Sequence, residues 1–148
     1  MQKNYFYIAV ITLSTLLLSL SCSREDDIDE IFHGRTWYMN GLVVNGIPDK
    51  GDEVKTFYGE EGTGIYYITF SAQTFRGTLS SGTNISGTWS ANGKHQTIKL
   101  MLDPIESLIP FDQKLYNILR SVSSYSSGAD FIQLKDNNKN VIMFGSYR

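Results

Sequence analysis

The only thiol of this chain belongs to Cys22, and its surroundings limit the chemistry it can do. Because the 148 residues contain no second cysteine, Cys22 cannot form a disulfide within the chain. The small residue Ser21 precedes it, and a run of acidic residues begins at Glu25. A thiol without a disulfide partner in the chain remains available for covalent modification. We predict that Cys22 is modified by lipid, on the grounds of the segment that precedes it.

The residues before Cys22 have the layout of a cleaved export signal. Lys3 is their only charge, and the sixteen residues from Tyr5 to Leu20 are apolar apart from scattered hydroxyls. As a helix they would span roughly 24 Å, short of the ~30 Å hydrocarbon core of a bilayer. We therefore predict a signal peptide over residues 1–21. The segment resembles bacterial lipoprotein signals, which implies an outer-membrane protein that carries acyl chains such as palmitate on Cys22.

The segment that follows, residues 22–33, is predicted to be a solvated tether. Five of its residues are acidic, and such a composition does not favour packing on a folded domain. An acidic cluster directly behind a lipidated cysteine also resembles the surface-export signal of lipoproteins from Bacteroides-like bacteria. That resemblance favours exposure at the cell surface. The alternative is a domain that faces the periplasm.

Elsewhere the chain lacks the sequence motifs of common catalytic and phosphate-binding sites, such as Gly-x-Ser-x-Gly, a phosphate loop or His-Glu-x-x-His. His33 and His95 lie in different predicted loops, so we expect no metal and no cofactor. Asp49, Asp52 and Glu53 lack the alternation of a calcium loop and are interpreted as a solvated acidic loop. The chain has a net charge of −2 and no basic stripe, so we do not expect nucleic acid as a partner.

Three carboxylates near a predicted helix start, Asp103, Glu106 and Asp112, are the nearest candidates for acid–base catalysis. A hydrolase would need two of them to converge in a cleft, with the pKa of one raised. Acidic residues at a helix start more often serve the helix dipole and the cap. We therefore predict no catalytic residues and keep a carboxylate-based hydrolase as the weakest alternative.

Alternating apolar residues, such as Tyr66, Ile68 and Phe70, predict antiparallel strands separated by turn residues. The predicted strands cover residues 35–44, 65–70, 74–79, 85–91, 97–102, 131–135 and 141–147. After Pro110 the apolar residues recur at helical spacing, which predicts one amphipathic helix. Residues 34–148 are thus expected to form one mainly β (α+β) domain. It would be a strongly curved antiparallel sheet or barrel of about seven strands, with one late amphipathic helix packed on it.

Tyrosines at outward positions could form a binding surface. Tyr38 and Tyr67 are predicted on the outer faces of their strands, and Tyr58 lies in the acidic loop. Together they form a candidate patch for an envelope protein or a glycan. The alternative is that they are scattered surface tyrosines, which strands favour.

Two segments, Ile68 to Gly77 and Gly82 to Trp89, resemble the core of the META/HslJ-like domain. In that family a strand ending in Phe leads into a strand ending in Gly, and Thr83 stands where the family has a cysteine. Later positions agree in order over residues 34–148: Leu115, Leu119, Val122, Tyr125, Gly128, Ile132, Leu134, Asp136 and Phe144. The resemblance implies a barrel filled by its own side chains, in a small Bacteroides-type lipoprotein of unassigned function.

The stretch Gly34-Arg35-Thr36-Trp37 resembles the Gly-x-Trp opening of lipocalin-like barrels, which implies a hollow carrier of a small apolar ligand. In either family Trp37 is predicted to fill the end of the barrel. The position of the helix before the final hairpin favours the filled barrel. The sequence therefore predicts a membrane-anchored envelope lipoprotein whose β domain is a non-catalytic binding or structural module, with the lipocalin-like carrier as the alternative.

Overall fold

The strands form one sheet that closes on itself. The computed structural model describes residues 26–49, 66–79 and 83–146. Its strands are β1 (Thr36–Val44), β2 (Ile47–Pro48), β3 (Tyr67–Phe70), β4 (Thr74–Thr78), β5 (Asn84–Asn92), β6 (Thr97–Leu102), β7 (Val122–Ser127), β8 (Phe131–Asp136) and β9 (Val141–Gly145). They follow the order β2-β1-β3-β4-β5-β6-β7-β8-β9, and β1 also pairs with β9. Eight strands therefore form a closed antiparallel barrel, and β2 is an extra strand paired with the end of β1.

Burial alternates along the strands as the period-two pattern requires. On β5, Ile85 and Trp89 point into the barrel, whereas Ser86 and Thr88 are exposed. The register keeps inward residues together across strands, with Trp89 opposite Leu100 on β6. The sheet thus has a dry inner face and a wet outer face, and the prediction of a mainly β domain is confirmed.

Two helices lie at opposite ends of the barrel. The first, α1 (Ile28–Phe32), is capped by Asp27, whose Oδ1 accepts hydrogen bonds of 3.1 Å from the backbone N–H groups of Asp29 and Glu30. The second, α2 (Pro110–Ser121), begins with proline at its first turn and packs against β6 and β8. It confirms the predicted amphipathic helix. No helix in the described ranges is long and apolar enough to cross a membrane.

The two helices define two ends of the molecule. The α1 end contains the turns at residues 71–73, 93–96 and 128–130. The α2 end contains residues 103–109 and the β8–β9 turn at residues 137–140. Chain direction alternates between antiparallel strands, so successive turns alternate between these ends.

The prediction of about seven strands was wrong because β2 and β7 do not show the alternation of apolar and polar residues. β2 has only two residues, in a stretch that reads as a turn. β7 buries Val122 and Tyr125, which are three positions apart in sequence. Both can point inward because the register shifts between Val122 and Ser124. This irregularity breaks the two-residue period. A serine-rich segment with that spacing is typical of the end of a helix.

The structure also differs from the predicted tether over residues 26–33. Phe32, at the end of α1, is 0% exposed. Its ring lies 5.1 Å from Phe70, 5.3 Å from Trp89 and 5.2 Å from Tyr125, measured between centroids. One face of the short helix is thus apolar and the acidic residues occupy the other, so a segment of charged composition still packs on the domain.

Candidate functional site

The barrel interior is filled by its own side chains. Its cavity has a volume of about 20 Å³, room for about one water molecule. The lining is apolar and comes from the sheet and from α2, including Met39, Ile68, Leu79, Leu115 and Phe144. A drug-sized ligand needs a pocket of roughly 300 Å³ or more. The interior bounded by the described residues therefore has no room for the ligand of a lipocalin-like carrier.

Trp37 closes the barrel at the α1 end, as predicted. It is 0% exposed, and the guanidinium of Arg35 lies 4.5 Å from its ring centroid. The Arg35 Nη2 donates hydrogen bonds of 2.8 Å to the carbonyl of Ala129 and to the hydroxyl of Ser146. Within the described ranges, Trp37 Nε1 is the buried side-chain polar atom that has no hydrogen-bond partner. The Gly-x-Trp stretch thus acts here in closing the barrel.

The structure brings two of the three predicted patch tyrosines together. Tyr38 on β1 lies opposite Tyr67 on β3, and the ring centroids are 6.1 Å apart with the planes tilted by 50°. Both side chains are partly exposed on the outer wall. Tyr58 and the predicted lipidation site Cys22 lie outside the described residues. We call Tyr38 and Tyr67 the tyrosine pair.

The three candidate carboxylates have different environments. Asp112 is 0% exposed and accepts a 2.7 Å hydrogen bond from the hydroxyl of Tyr66, which ties the first turn of α2 to the sheet. Asp103 is exposed and accepts a 2.6 Å hydrogen bond from Ser86. Glu106 is exposed. None of the three lines the interior cavity or the groove beside α1 described below.

The two histidines and the first acid of the acidic loop are also separate. His33 follows α1, with its Nδ1 3.9 Å from Asp29, and His95 lies in the β5–β6 turn. Asp49 forms a 3.2 Å ion pair with Lys114 on α2. Among the described residues, no group of three or more His, Cys, Asp and Glu side chains could hold a metal ion. Asp52 and Glu53 lie outside them.

A buried polar network at the α2 end has no counterpart in the sequence predictions. The carboxylate of Asp136 accepts hydrogen bonds from the backbone N–H groups of Asn138 (2.8 Å) and Asn140 (2.9 Å), from the Asn140 side chain (2.7 Å) and from the Ser121 hydroxyl (3.0 Å). Asn140 in turn accepts a 2.8 Å hydrogen bond from the backbone of Asn45. The network joins the end of α2 to two turns. The Asp-x-Asn spacing was the only local signal for it.

The ionised carboxylate of Asp136 should stabilise the fold, so the free energy of unfolding should fall in acid. Burial alone would raise its pKa, but the hydrogen bonds from Asn140, Ser121 and Asn138 outweigh burial and hold the pKa below its ordinary value of 3.8. The ionised form is therefore favoured in the folded state. Its contribution is complete above pH 3.8 and is lost as the pH falls through the lower folded-state pKa.

We expect Asp136→Asn to lower the free energy of unfolding by about 1–3 kcal/mol at pH 7, because an amide cannot accept from all of these donors. The loss should shrink as the pH is lowered below 3.8. Urea unfolding of the wild type and of Asp136→Asn between pH 2 and 7 gives the difference in the free energy of unfolding at each pH. Lys135→Gln, on the partly exposed neighbouring position, is the control. A pH-independent difference would contradict the role of the charge.

At the α1 end, Asp26 forms a second polar contact that no local pattern predicts. The Tyr125 hydroxyl donates a 3.0 Å hydrogen bond to Asp26 Oδ2, and Gln96 Nε2 donates one of 3.1 Å to the same oxygen. Burial, the hydrogen bond to Asp26 and the negative charge of Asp26 together raise the pKa of Tyr125 above its ordinary value of 10.0. The partners are 70 or more residues apart, so only the fold brings them together.

An open groove of about 390 Å³ lies where the first turn of α1 meets β5 and the β3–β4 turn. Its walls are the first turn of α1, the β3–β4 turn and β5, including Ile28, Asp29, Gln73 and Trp89. The Trp89 Nε1 donates a 2.8 Å hydrogen bond to the carbonyl of Ser71, which fixes one wall. The groove and the tyrosine pair are thus features of the outer surface.

The barrel with its two helices corresponds to a known domain family. A family model described as a domain of unknown function (DUF4847) matches residues 23–146. The chain belongs to the DUF4847 family. The matched region of this DUF4847 domain includes α1 and all nine described strands. None of the curated proteins matches the chain.

Two solved structures resemble the DUF4847 domain in fold. The crystal structure of a DUF4847 family protein from Bacteroides vulgatus ATCC 8482 is 22% identical, with a TM-score of 0.63 over 80% of this chain and 96% of that chain. The NMR structure of a protein from Burkholderia xenovorans is 15% identical, with a TM-score of 0.52 over 86% of this chain and 96% of that chain. At these identities the likeness concerns the fold alone.

The resemblance to the META/HslJ-like domain was wrong, because the DUF4847 match covers the same residues. Two glycines that carried the resemblance, Gly77 and Gly87, occupy inward positions on β4 and β5. A Cβ on Gly77 would collide with the carbonyl oxygen of Tyr67, and one on Gly87 with that of Met101. Glycine inside a strand commonly marks a close approach of backbones, so glycine at this spacing does not identify one family.

Proposed function

We propose that this DUF4847 protein is a lipid-anchored protein of the outer membrane whose barrel is a non-catalytic binding module. The anchor part rests on one observation, the position of the single thiol. Cys22 follows the apolar run, and the family match begins at the next residue, residue 23. Cleavage before Cys22 would therefore remove the signal and leave the family domain intact. A DUF4847 protein from Bacteroides vulgatus also agrees with the expected bacterial group.

Binding on the outer surface is the second part of the proposal. A cavity of about 20 Å³ leaves the inside of the barrel too small for a ligand, so a partner would bind the wall. The tyrosine pair offers two adjacent rings there, and tyrosine is enriched at the centres of interfaces. An envelope protein or a glycan is the proposed partner, reached either at the cell surface or in the periplasm.

Metabolic labelling with an alkyne fatty acid tests the anchor. The wild-type protein should be labelled, and its amino-terminal peptide should carry acyl mass on Cys22. Each buried methylene contributes about 0.8 kcal/mol to membrane binding, so several acyl chains hold the protein durably. The Cys22→Ala variant should lose the label completely, whereas Ser23→Ala should keep it. An unlabelled wild-type protein would refute the lipoprotein proposal.

Photo-crosslinking in intact cells tests the tyrosine pair. A crosslinking amino acid at position 38 or 67 should give a discrete adduct, because both side chains are partly exposed on one wall. The same amino acid in place of Lys99, which is exposed on β6, is the control on another part of the barrel. We expect the adduct at positions 38 and 67 to exceed that at 99 by about tenfold if this surface holds an interface hot spot. Equal crosslinking at all three positions would contradict the proposal.

A further inference from the structure

The first described residues of the chain are fixed on the α1 end of the barrel. Asp26 accepts the hydrogen bonds from Tyr125 and Gln96 described above. Its carbonyl oxygen lies against Gly93 so closely that a Cβ on Gly93 would collide with it. Asp27 then caps α1, and Phe32 enters the core. The first described residue, Asp26, is thus already packed, directly against the β5–β6 turn.

Little chain separates this packed residue from the predicted lipid. Cys22 precedes Asp26 by four residues. Since a fully extended chain covers at most ~3.6 Å per residue, the two Cα atoms can be no more than roughly 14 Å apart. A free tether of residues 22–33 would have allowed roughly 40 Å by the same measure. Packing of α1 thus removes most of the freedom that the sequence pattern predicts.

We infer that the α1 end of the barrel faces the membrane, with the β5–β6 turn next to the lipid headgroups. This inference rests on the proposed acylation of Cys22. The surface in question contains the exposed residues Lys94 and His95 and lies beside the acidic face of α1. Acidic groups are repelled by anionic headgroups, so surface charge would not hold the α1 end at the membrane. The acylated Cys22 and its short connection to Asp26 would hold it there.

The α2 end then faces away from the membrane. β5 has nine residues, and at ~3.3 Å per residue and a tilt of ~40° the barrel is roughly 20 Å tall. Asn138, in the exposed β8–β9 turn, should therefore lie roughly 20 Å farther from the bilayer than Lys94. A partner that approaches from outside would meet α2, residues 103–109 and this turn first.

Energy transfer to labelled lipid headgroups measures this orientation. Because acylation consumes the only native thiol, Lys94→Cys and Asn138→Cys each carry one reactive thiol in the full lipidated protein. Each variant is labelled with a donor dye and reconstituted into phosphatidylethanolamine–phosphatidylglycerol vesicles that contain an acceptor lipid. We expect transfer from position 94 to be at least about twice as efficient as from position 138, given the height of the barrel.

A length variant completes the test. Twelve Gly and Ser residues inserted between Ser23 and Arg24 keep the anchor but add up to roughly 40 Å of flexible chain, so the difference between positions 94 and 138 should shrink. Protein without acyl mass that stays off the vesicles would overturn the anchor and the orientation together. Acylated, vesicle-bound protein with equal transfer from both positions would overturn the orientation alone. A difference that survives the insertion would show that the short connection does not cause it.

Discussion

Replacing Phe32 with alanine is expected to lower the free energy of unfolding by about 3–5 kcal/mol. The side chain is 0% exposed and contacts Phe70, Trp89 and Tyr125 at centroid distances of 5.1–5.3 Å. Truncation would remove its burial and leave a cavity between three rings that strands hold apart. The effect would be large for a residue in a segment that sequence composition describes as solvated.

Urea unfolding followed by tryptophan fluorescence would measure this loss, because Trp89 is one of the three contacts. Glu30→Ala is the matched control, since Glu30 is exposed on the same short helix. It should change the free energy of unfolding by less than about 0.5 kcal/mol. Equal small effects of both substitutions would mean that α1 is not packed on the barrel in solution. The inferred orientation at the membrane would then lose its basis.

Replacing Gly87 with alanine should also destabilise the protein, by about 3 kcal/mol, the upper end of the range for overpacking. Gly87 points inward on β5, and an added Cβ would collide with the carbonyl oxygen of Met101 on β6. The atom in the way is backbone, so relief requires β5 and β6 to separate. Because the barrel is closed, that movement must also strain neighbouring strand pairs.

Thermal unfolding by circular dichroism would test Gly87→Ala against Ser90→Ala. Ser90 lies on the same strand with its side chain exposed, so its loss should cost less than about 0.5 kcal/mol. A Gly87→Ala protein as stable as the control would show that β5 and β6 can move apart freely. In that case the close approach of β5 and β6 would not require glycine at position 87.

Local pattern was sufficient for most of the sheet and for α2. Tyr66, Ile68 and Phe70 alternate in sequence and are all buried, because a strand with one dry face must place every second residue inward. The apolar residues of α2 recur at helical spacing because a helix that packs on one face buries residues three or four positions apart. The pattern failed at β7, where a register shift allows both Val122 and Tyr125, three positions apart, to be buried. Such a shift depends on the partner strand, which a single segment does not specify.

Resemblance by short motifs was less reliable than pattern. The glycine and aromatic spacing of β4 and β5 suggested the META/HslJ-like domain, whereas the chain belongs to the DUF4847 family. At Gly77 and Gly87 neighbouring backbones approach closely, and glycine inside a strand often marks such an approach whatever the family. The stretch Gly34 to Trp37 suggested a hollow barrel, yet the interior cavity measures about 20 Å³. Motifs that serve closure and bending therefore indicate a barrel but not its family or its contents.

The alternation of the strands and the outward positions of Tyr38 and Tyr67 could be recognised from the order of residues, because each depends on near neighbours in the chain. Closure of the sheet through β1 and β9, the packing of α1 and the contacts of Asp26 and Asp136 depended on residues far apart in sequence. The acidic segment shows the difference most clearly. Its charges favour water, but burial of Phe32 among three aromatic rings outweighs that preference, and such burial exists only once the barrel has formed.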